Sequence, residues 1–199
     1  MILNARKPLT PFHFINKGEL IFHQGQPFKG YFLIKSGVIK TSRIHDTGSK
    51  TILSFKITGE YLGEIMETGQ GKKYSYSAYA TEDQTVLEFI PWEDPSLFRL
   101  LGILENLHFE LLQARVRLER FIEKDSEERI RLTLKDLAMR LGKKFGSETL
   151  LKLPLTHEDL ATLTDTSRQT VTTVLSRLKA QNKISYSRGR FLFRNLDTL

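Results

Sequence analysis

The chain has 199 residues, no cysteine, 30 basic residues against 23 acidic ones and a formal net charge of +7. Without cysteine there can be no disulfide, thiolate zinc site, thiol redox sensor or cysteine-held iron–sulfur cluster. No apolar run approaches a membrane span, and MILNARKPLTPFHF at the amino terminus lacks a signal peptide's apolar core, so a cytoplasmic protein with no membrane partner is expected. The length allows one large core or two small ones, and the positive balance points to a polyanionic partner.

In chain order, residues 17–90 read as β-structure. Short runs such as Leu20-Ile21-Phe22, Tyr31-Phe32-Leu33-Ile34 and Thr51-Ile52-Leu53-Ser54-Phe55 are separated by Gly25, Gly30, Gly37, Gly48, Gly59 and the stretch Gly69-Gln70-Gly71. Regular short strands between glycines suggest a barrel or sandwich. Up to Pro95 this part carries eleven basic and ten acidic residues, so the basic excess lies elsewhere.

The stretch from Pro91 to Pro95 breaks the strand pattern. Beyond it Leu97, Leu100, Leu104, Leu107, Leu111, Ala114, Leu118 and Phe121 alternate in steps of three and four, an a/d heptad seam sustained for more than three heptads. Leu101, Ile103, Leu112 and Ile122 supply apolar positions for packing on the chain's own β-domain. The seam itself is expected to pair with a second copy of the helix through Leu100, Leu104, Leu107, Leu111 and Leu118.

Asp125-Ser126-Glu127-Glu128 resembles a capping box and opens a helix expected to run to about Phe145, with Gly146 and Ser147 ending it. Thr156-His157-Glu158-Asp159 is another N-cap with acids in the first turn, starting a short helix through Leu163. Thr164-Asp165-Thr166 is a turn, and Ser167 caps the next helix. There Val171, Val174, Leu175 and Leu178 form an apolar face, while Arg168, Gln169, Thr172, Thr173 and Ser176 form an opposite face that can hydrogen-bond without negative charge. Two helices joined by a tight turn make a helix-turn-helix. Residues 184–193 alternate around Arg188-Gly189 as a hairpin, which would place Arg188 and Arg190 beside a phosphate backbone. Thr166 to Leu196 holds seven basic residues and no acidic one.

Three stretches carry a family resemblance: GELIFHQGQPFKGYFLIKSGVIK, GEYLGEI and LTHEDLATLTDTSRQTVTTVLSRLKAQNKI. With this order of parts, the chain resembles the Crp/Fnr superfamily of bacterial transcription regulators over nearly its whole length. The resemblance implies an α+β chain with an amino-terminal β-roll of the cyclic-nucleotide-binding, jelly-roll type (1–95). A long coiled-coil dimerisation helix (96–124) and a winged helix-turn-helix (125–199) would follow. The stretch before Lys17 is short for the family, whose roll is commonly preceded by a longer helical segment that could contact the effector or polymerase.

By the same resemblance, Ser167, Arg168, Gln169, Thr172 and Thr173 lie where the family meets DNA with its recognition helix, and Thr156 lies at a phosphate contact. Physical chemistry agrees: arginine can pair bidentately with guanine, glutamine with adenine, and threonine methyls can touch thymine. Ser176, Arg177, Lys183, Arg188 and Arg190 complete the expected DNA-binding set. Members that read a TGTGA-type half-site usually carry glutamate after the arginine and a second arginine four residues on. Gln169 and Thr173 occupy those places, so a different half-site is expected.

In cyclic-AMP-binding members a Gly-Glu pair and an Arg-Ser pair hold the nucleotide. Gly63 and Glu64 match the first, whereas the second aligns with Tyr74 and Ser75. Without the arginine a cyclic phosphate would lose a bidentate pair worth about 1.5–3 kcal/mol, and Lys72 and Lys73 nearby lack the planar fork. The bland reading of Glu64 is a cap or ion pair within the roll. No cofactor is assigned; cyclic AMP or another small effector is the candidate to be tested. His13, His23, His45, His108 and His157 do not cluster in sequence, and His108 on the long helix is better read as a helix residue than a haem ligand. No metal site, nucleophile elbow or P-loop is present, so no enzyme is expected.

The leading expectation is therefore a homodimeric transcription regulator binding a pseudo-palindromic operator in double-stranded DNA, with RNA polymerase as a further candidate partner. A cyclic-nucleotide receptor and a non-specific architectural DNA-binding protein are the alternatives.

Overall fold

The computed structural model describes residues 11–69, 71–93 and 96–199; Gln70, Pro95 and the first ten residues, which enter the expectations above, lie outside them. Ten strands come first: β1 (Phe12–Ile15), β2 (Leu20–Phe22), β3 (Gly30–Ser36), β4 (Ile39–Ile44), β5 (Lys50–Lys56), β6 (Tyr61–Leu62), β7 (Ile65–Thr68), β8 (Gly71–Tyr74), β9 (Ser77–Ala80) and β10 (Thr85–Pro91). They form two four-stranded sheets, in the orders β1-β10-β3-β6 and β2-β9-β4-β5, and a hairpin of β7 with β8. Between the sheets Ile21, Phe22, Phe32, Ile34, Ile39, Leu62, Ala78 and Leu87 make a closed apolar core. The β-region begins earlier than residue 17, because Phe12–Ile15 adds an antiparallel edge to β10.

The helix α1 (Leu97–Glu123) follows. Its packing on the roll departs from expectation. Ile103 is buried with Tyr61 and Ile90, but Leu101, Leu112 and Ile122 are 51%, 42% and 73% exposed. Polar groups do the rest of the packing. Arg99 donates to Glu88 at 2.6 Å, the Tyr61 amide donates to Asn106 Oδ1 at 3.1 Å, and the buried Lys56 pairs with Glu110. Residues 99, 103, 106 and 110 share one helical face, so the apolar pattern alone misplaced it. The seam leucines are left uncovered: Leu100, Leu104, Leu107, Leu111 and Leu118 are 39–60% exposed.

After α1 come α2 (Ser126–Leu141), β11 (Lys143–Phe145), β12 (Glu148–Lys152), α3 (His157–Thr164), α4 (Arg168–Ala180), β13 (Ile184–Ser187) and β14 (Arg190–Phe193). Asp125 caps α2 as expected, accepting from the Glu128 amide. However, α2 stops at Leu141 rather than near Phe145. Its cap Gly142 donates to the Ala138 carbonyl, and a Cβ on that glycine would lie 2.2 Å from the same oxygen. Lys143–Phe145 instead becomes a strand that turns through Gly146 and Ser147 into β12, in a four-stranded sheet ordered β11-β12-β14-β13. The expected hairpin of residues 184–193 is thus the far edge of a larger sheet.

The chain divides into two compact units, one ending at Leu112 and the other running from Gln113 to Leu199. The division falls inside α1. No helix among the described residues is long and apolar enough to cross a membrane.

Candidate nucleic-acid interface

The reading face rests on two helix caps. Thr156 Oγ1 accepts the Asp159 amide and the Asp159 carboxylate accepts the Thr156 amide, each at 3.0 Å, closing a full capping box on α3. The chain leaves α3 through Asp165, left-handed at φ 47°, and Ser167 caps α4 by accepting the Thr170 amide at 3.0 Å. Val171, Val174, Leu175 and Leu178 are buried, so the opposite side of α4 faces out. Arg168, Gln169, Thr172, Thr173, Ser176 and Arg177 are all exposed there.

The threonine hydroxyls are engaged with the helix itself. Thr172 donates to the Arg168 carbonyl at 2.9 Å and Thr173 to the Gln169 carbonyl at 3.1 Å. Thr172 Oγ1 also lies 2.9 Å from His157 Nδ1. With the hydroxyl proton on the carbonyl, His157 must be the donor. Each threonine is left with its methyl as the apolar group to offer a base edge.

Cations surround this face, and some are already occupied. Arg177 pairs with Glu127 and Arg194 with Glu148, while the Lys179 ammonium sits 5.7 Å from the Tyr186 ring centre. Among the described residues Arg168, Lys183, Arg188 and Arg190 form no ion pair. Arg188 and Arg190 are exposed around the wing turn and Lys183 is half-buried behind α4. Lys152 is directly opposite Arg190 across the β12–β14 ladder, a like-charge neighbour that favours an anion between them. Neither Lys152 nor His157 stood out in sequence: Lys152 lies outside the basic run, and His157 reads as a helix-start residue. A cleft of about 520 Å³ beside α4 is lined by residues that include Glu127, Ser167, Gln169, Thr173 and Arg177.

In the roll, Gly63, Glu64, Tyr74 and Ser75 are brought together but are already engaged with one another and with the core. The Gly63 amide donates to the Tyr76 hydroxyl at 3.1 Å. Its φ is +123°, and a Cβ there would lie 3.0 Å from the Tyr31 ring. The Ser75 amide donates to the Glu64 carbonyl at 3.1 Å. The Glu64 side chain is exposed and, among the described residues, forms neither the cap nor the ion pair expected of it. Tyr74 is 2% exposed, its ring stacks at 3.9 Å on Phe22 and its hydroxyl donates to the Gly30 carbonyl at 2.9 Å. Burial pushes its phenol up to about 12. Lys72 lies 3.9 Å over the Trp92 ring. His108 is exposed on α1, and no group of three His, Asp or Glu able to hold a metal occurs among the described residues.

Comparison with known proteins accounts for both halves. Residues 12–94 match the cyclic nucleotide-binding domain family, and residues 128–199 match the Crp-like helix-turn-helix domain family. The chain is 29% identical to the transcriptional activator protein Anr of Pseudomonas aeruginosa, covering 86% of this chain and 71% of that protein. It is 26% identical to the fumarate and nitrate reduction regulatory protein of Escherichia coli, across 100% of this chain and 78% of that one. A solved Crp/Fnr-family transcriptional regulator from Thermus thermophilus superposes with a TM-score of 0.78 at 25% identity, over 94% of this chain and 95% of that one. With its β-roll, winged helix-turn-helix and these relatives, the chain belongs to the Crp/Fnr superfamily and is a DNA-binding transcription regulator rather than an enzyme.

Proposed function

We propose that the regulator acts in the cytoplasm as a homodimer on a pseudo-palindromic operator, with α4 of each copy reading one half-site. The observation that carries this is the outward face of α4. It offers Arg168 and Gln169 without side-chain ion pairs, plus two threonine methyls, and carries no acidic residue. Thr156, Ser167, Ser176, Arg177, Lys183, Arg188 and Arg190 form the surrounding backbone contacts, with Lys152 beside them. The seam of α1 supports the dimer, because a row of leucines half open to water is a contiguous apolar surface that a second copy would cover. Three segments, 1–95, 96–124 and 125–199, serve sensing or scaffolding, pairing and DNA binding. RNA polymerase is the partner through which a bound dimer would act on transcription.

Cyclic AMP is not the main effector in this reading. Tyr74 fills the place where the family's phosphate-pairing arginine stands, and the Gly63 amide is already spent on Tyr76.

Base contacts and phosphate contacts separate experimentally. Arg168→Ala and Gln169→Ala should each cost about 1–3 kcal/mol on the preferred operator and relax one base pair per half-site. Lys183→Ala or Arg188→Ala should weaken all DNA alike and make the salt slope shallower by about one unit for each phosphate no longer neutralised. Equal, sequence-independent losses for Arg168 and Lys183 would leave the architectural reading in its place.

A further inference from the structure

The carboxy-terminal end of α3 carries no basic residue of its own in its last turn, although its free carbonyls form the negative end of the helix dipole. Two arginines from other helices supply the donors. Arg117 of α1 donates Nη2 to the Thr162 carbonyl at 3.1 Å. Arg129 of α2 donates Nε to Thr164 O at 2.9 Å and Nη2 to Asp165 O at 3.0 Å. The same guanidinium donates Nη1 to the Lys124 carbonyl at 2.8 Å, one residue beyond α1, and sits 5.3 Å from the Phe121 ring centre. A second fastening joins α1 to α2, where Arg120 meets Asp136 at 2.5 Å.

We propose that Arg117 and Arg129 are positioning residues that lock the last turns of α1 to the helix-turn-helix, so that the paired α1 helices set the spacing between the two recognition helices. This rests on the dimeric DNA-binding reading above. The compact unit that holds α4 begins at Gln113, so the turns of α1 bearing Leu118 and Phe121 belong to the DNA-binding head. From Phe121 on the seam, contacts run through Arg129 to Thr164 and Asp165. Two residues later Ser167 caps α4. A head fastened in this way has one orientation relative to the dyad, and an operator has to match it. Each base pair added between half-sites rotates one against the other by about 34°.

The test uses the full-length chain and operators recovered by selection from random DNA, rebuilt with the spacer one or two base pairs longer or shorter. Wild-type protein should lose roughly tenfold or more in affinity at a two-base-pair change, within the usual range for coupled sites. The Arg117→Gln/Arg129→Lys double variant should lose less than about threefold for the same change, with its half-site base preference and dimerisation intact. A merely structural role would lower affinity equally for every spacer. A double variant that keeps the wild-type spacer profile therefore overturns the inference. If the double variant loses its helical circular dichroism, Arg129→Lys alone, which retains the charge but not the forked contact to three carbonyls, is judged by the same profile. Wild-type protein that selects half-sites yet shows no spacer optimum overturns the inference and leaves DNA reading intact. Failure to select any half-site overturns both.

Discussion

Replacing Tyr74 measures how far the roll is closed by its own side chains. Tyr74→Phe keeps the stack on Phe22 but leaves the Gly30 carbonyl without the phenol that donates to it at 2.9 Å. A buried acceptor left without a partner costs about 1–3 kcal/mol. Tyr74→Ala removes the ring as well, and a large aromatic truncated in a packed core costs about 3–5 kcal/mol, so the ring should account for roughly 2 kcal/mol beyond the hydroxyl. The single tryptophan makes the assay specific to the roll. The Trp92 ring lies 5.6 Å from Phe28, and Phe28 lies 5.0 Å from Tyr74. Urea unfolding followed by tryptophan fluorescence then reports each cost through the shift in midpoint. A ligand bound to the folded roll at about 100 times its dissociation constant would add about 2.7 kcal/mol. Cyclic AMP should add nothing to the wild type. The reasoning is refuted if Tyr74→Ala costs less than about 1 kcal/mol, or if cyclic AMP stabilises the unmodified protein.

Leu107→Lys together with Leu111→Lys should place like charges in the α1 seam and give monomers that bind DNA weakly; a dimer surviving in sedimentation would show the seam to be misplaced. Thr172→Val should retain operator affinity and base preference, because the hydroxyl is spent on Arg168 O and His157, whereas Thr172→Ser should lose the thymine contact. Binding to operators with uracil in place of thymine checks that the methyl is what is read. Burial also holds the His13 imidazole below its ordinary value. Its contribution to roll stability is therefore complete above the unfolded value of about 6.5 and is lost as pH falls from there through the lower folded value. Trp92-monitored unfolding of His13→Gln should show a flatter acid limb than wild type, and an unchanged slope would remove His13 from the account.

Much of the local structure of the candidate interface was legible because its determinants are local. The caps at Thr156 and Ser167 and the 3.6-residue alternation of α4 lie within a few residues of one another, and each formed as its chemistry dictates. The row of half-exposed leucines on α1 was legible for the same reason, as a periodic pattern. What the sequence hid depends on distant partners. Lys56 with Glu110 and Arg129 with Thr164 join residues more than thirty positions apart and leave no periodic trace. The overextended α2 had a local warning in Gly142, but the helical run of residues before it outweighed that glycine until β12 was available to pair with Lys143–Phe145. The resemblance alone puts Tyr74 at the arginine position, and its hydroxyl's partner, Gly30, could come only from the fold.

Selection of bound sequences from random double-stranded DNA by the full-length protein, with no ligand added, tests the central claim most directly. The account predicts one enriched motif made of two inverted half-sites with centres about one helical turn, 10–10.5 base pairs, apart, and that motif should differ from TGTGA. A pool that remains unenriched while binding tightly at low salt would contradict it and show that the basic face grips the DNA backbone without reading bases.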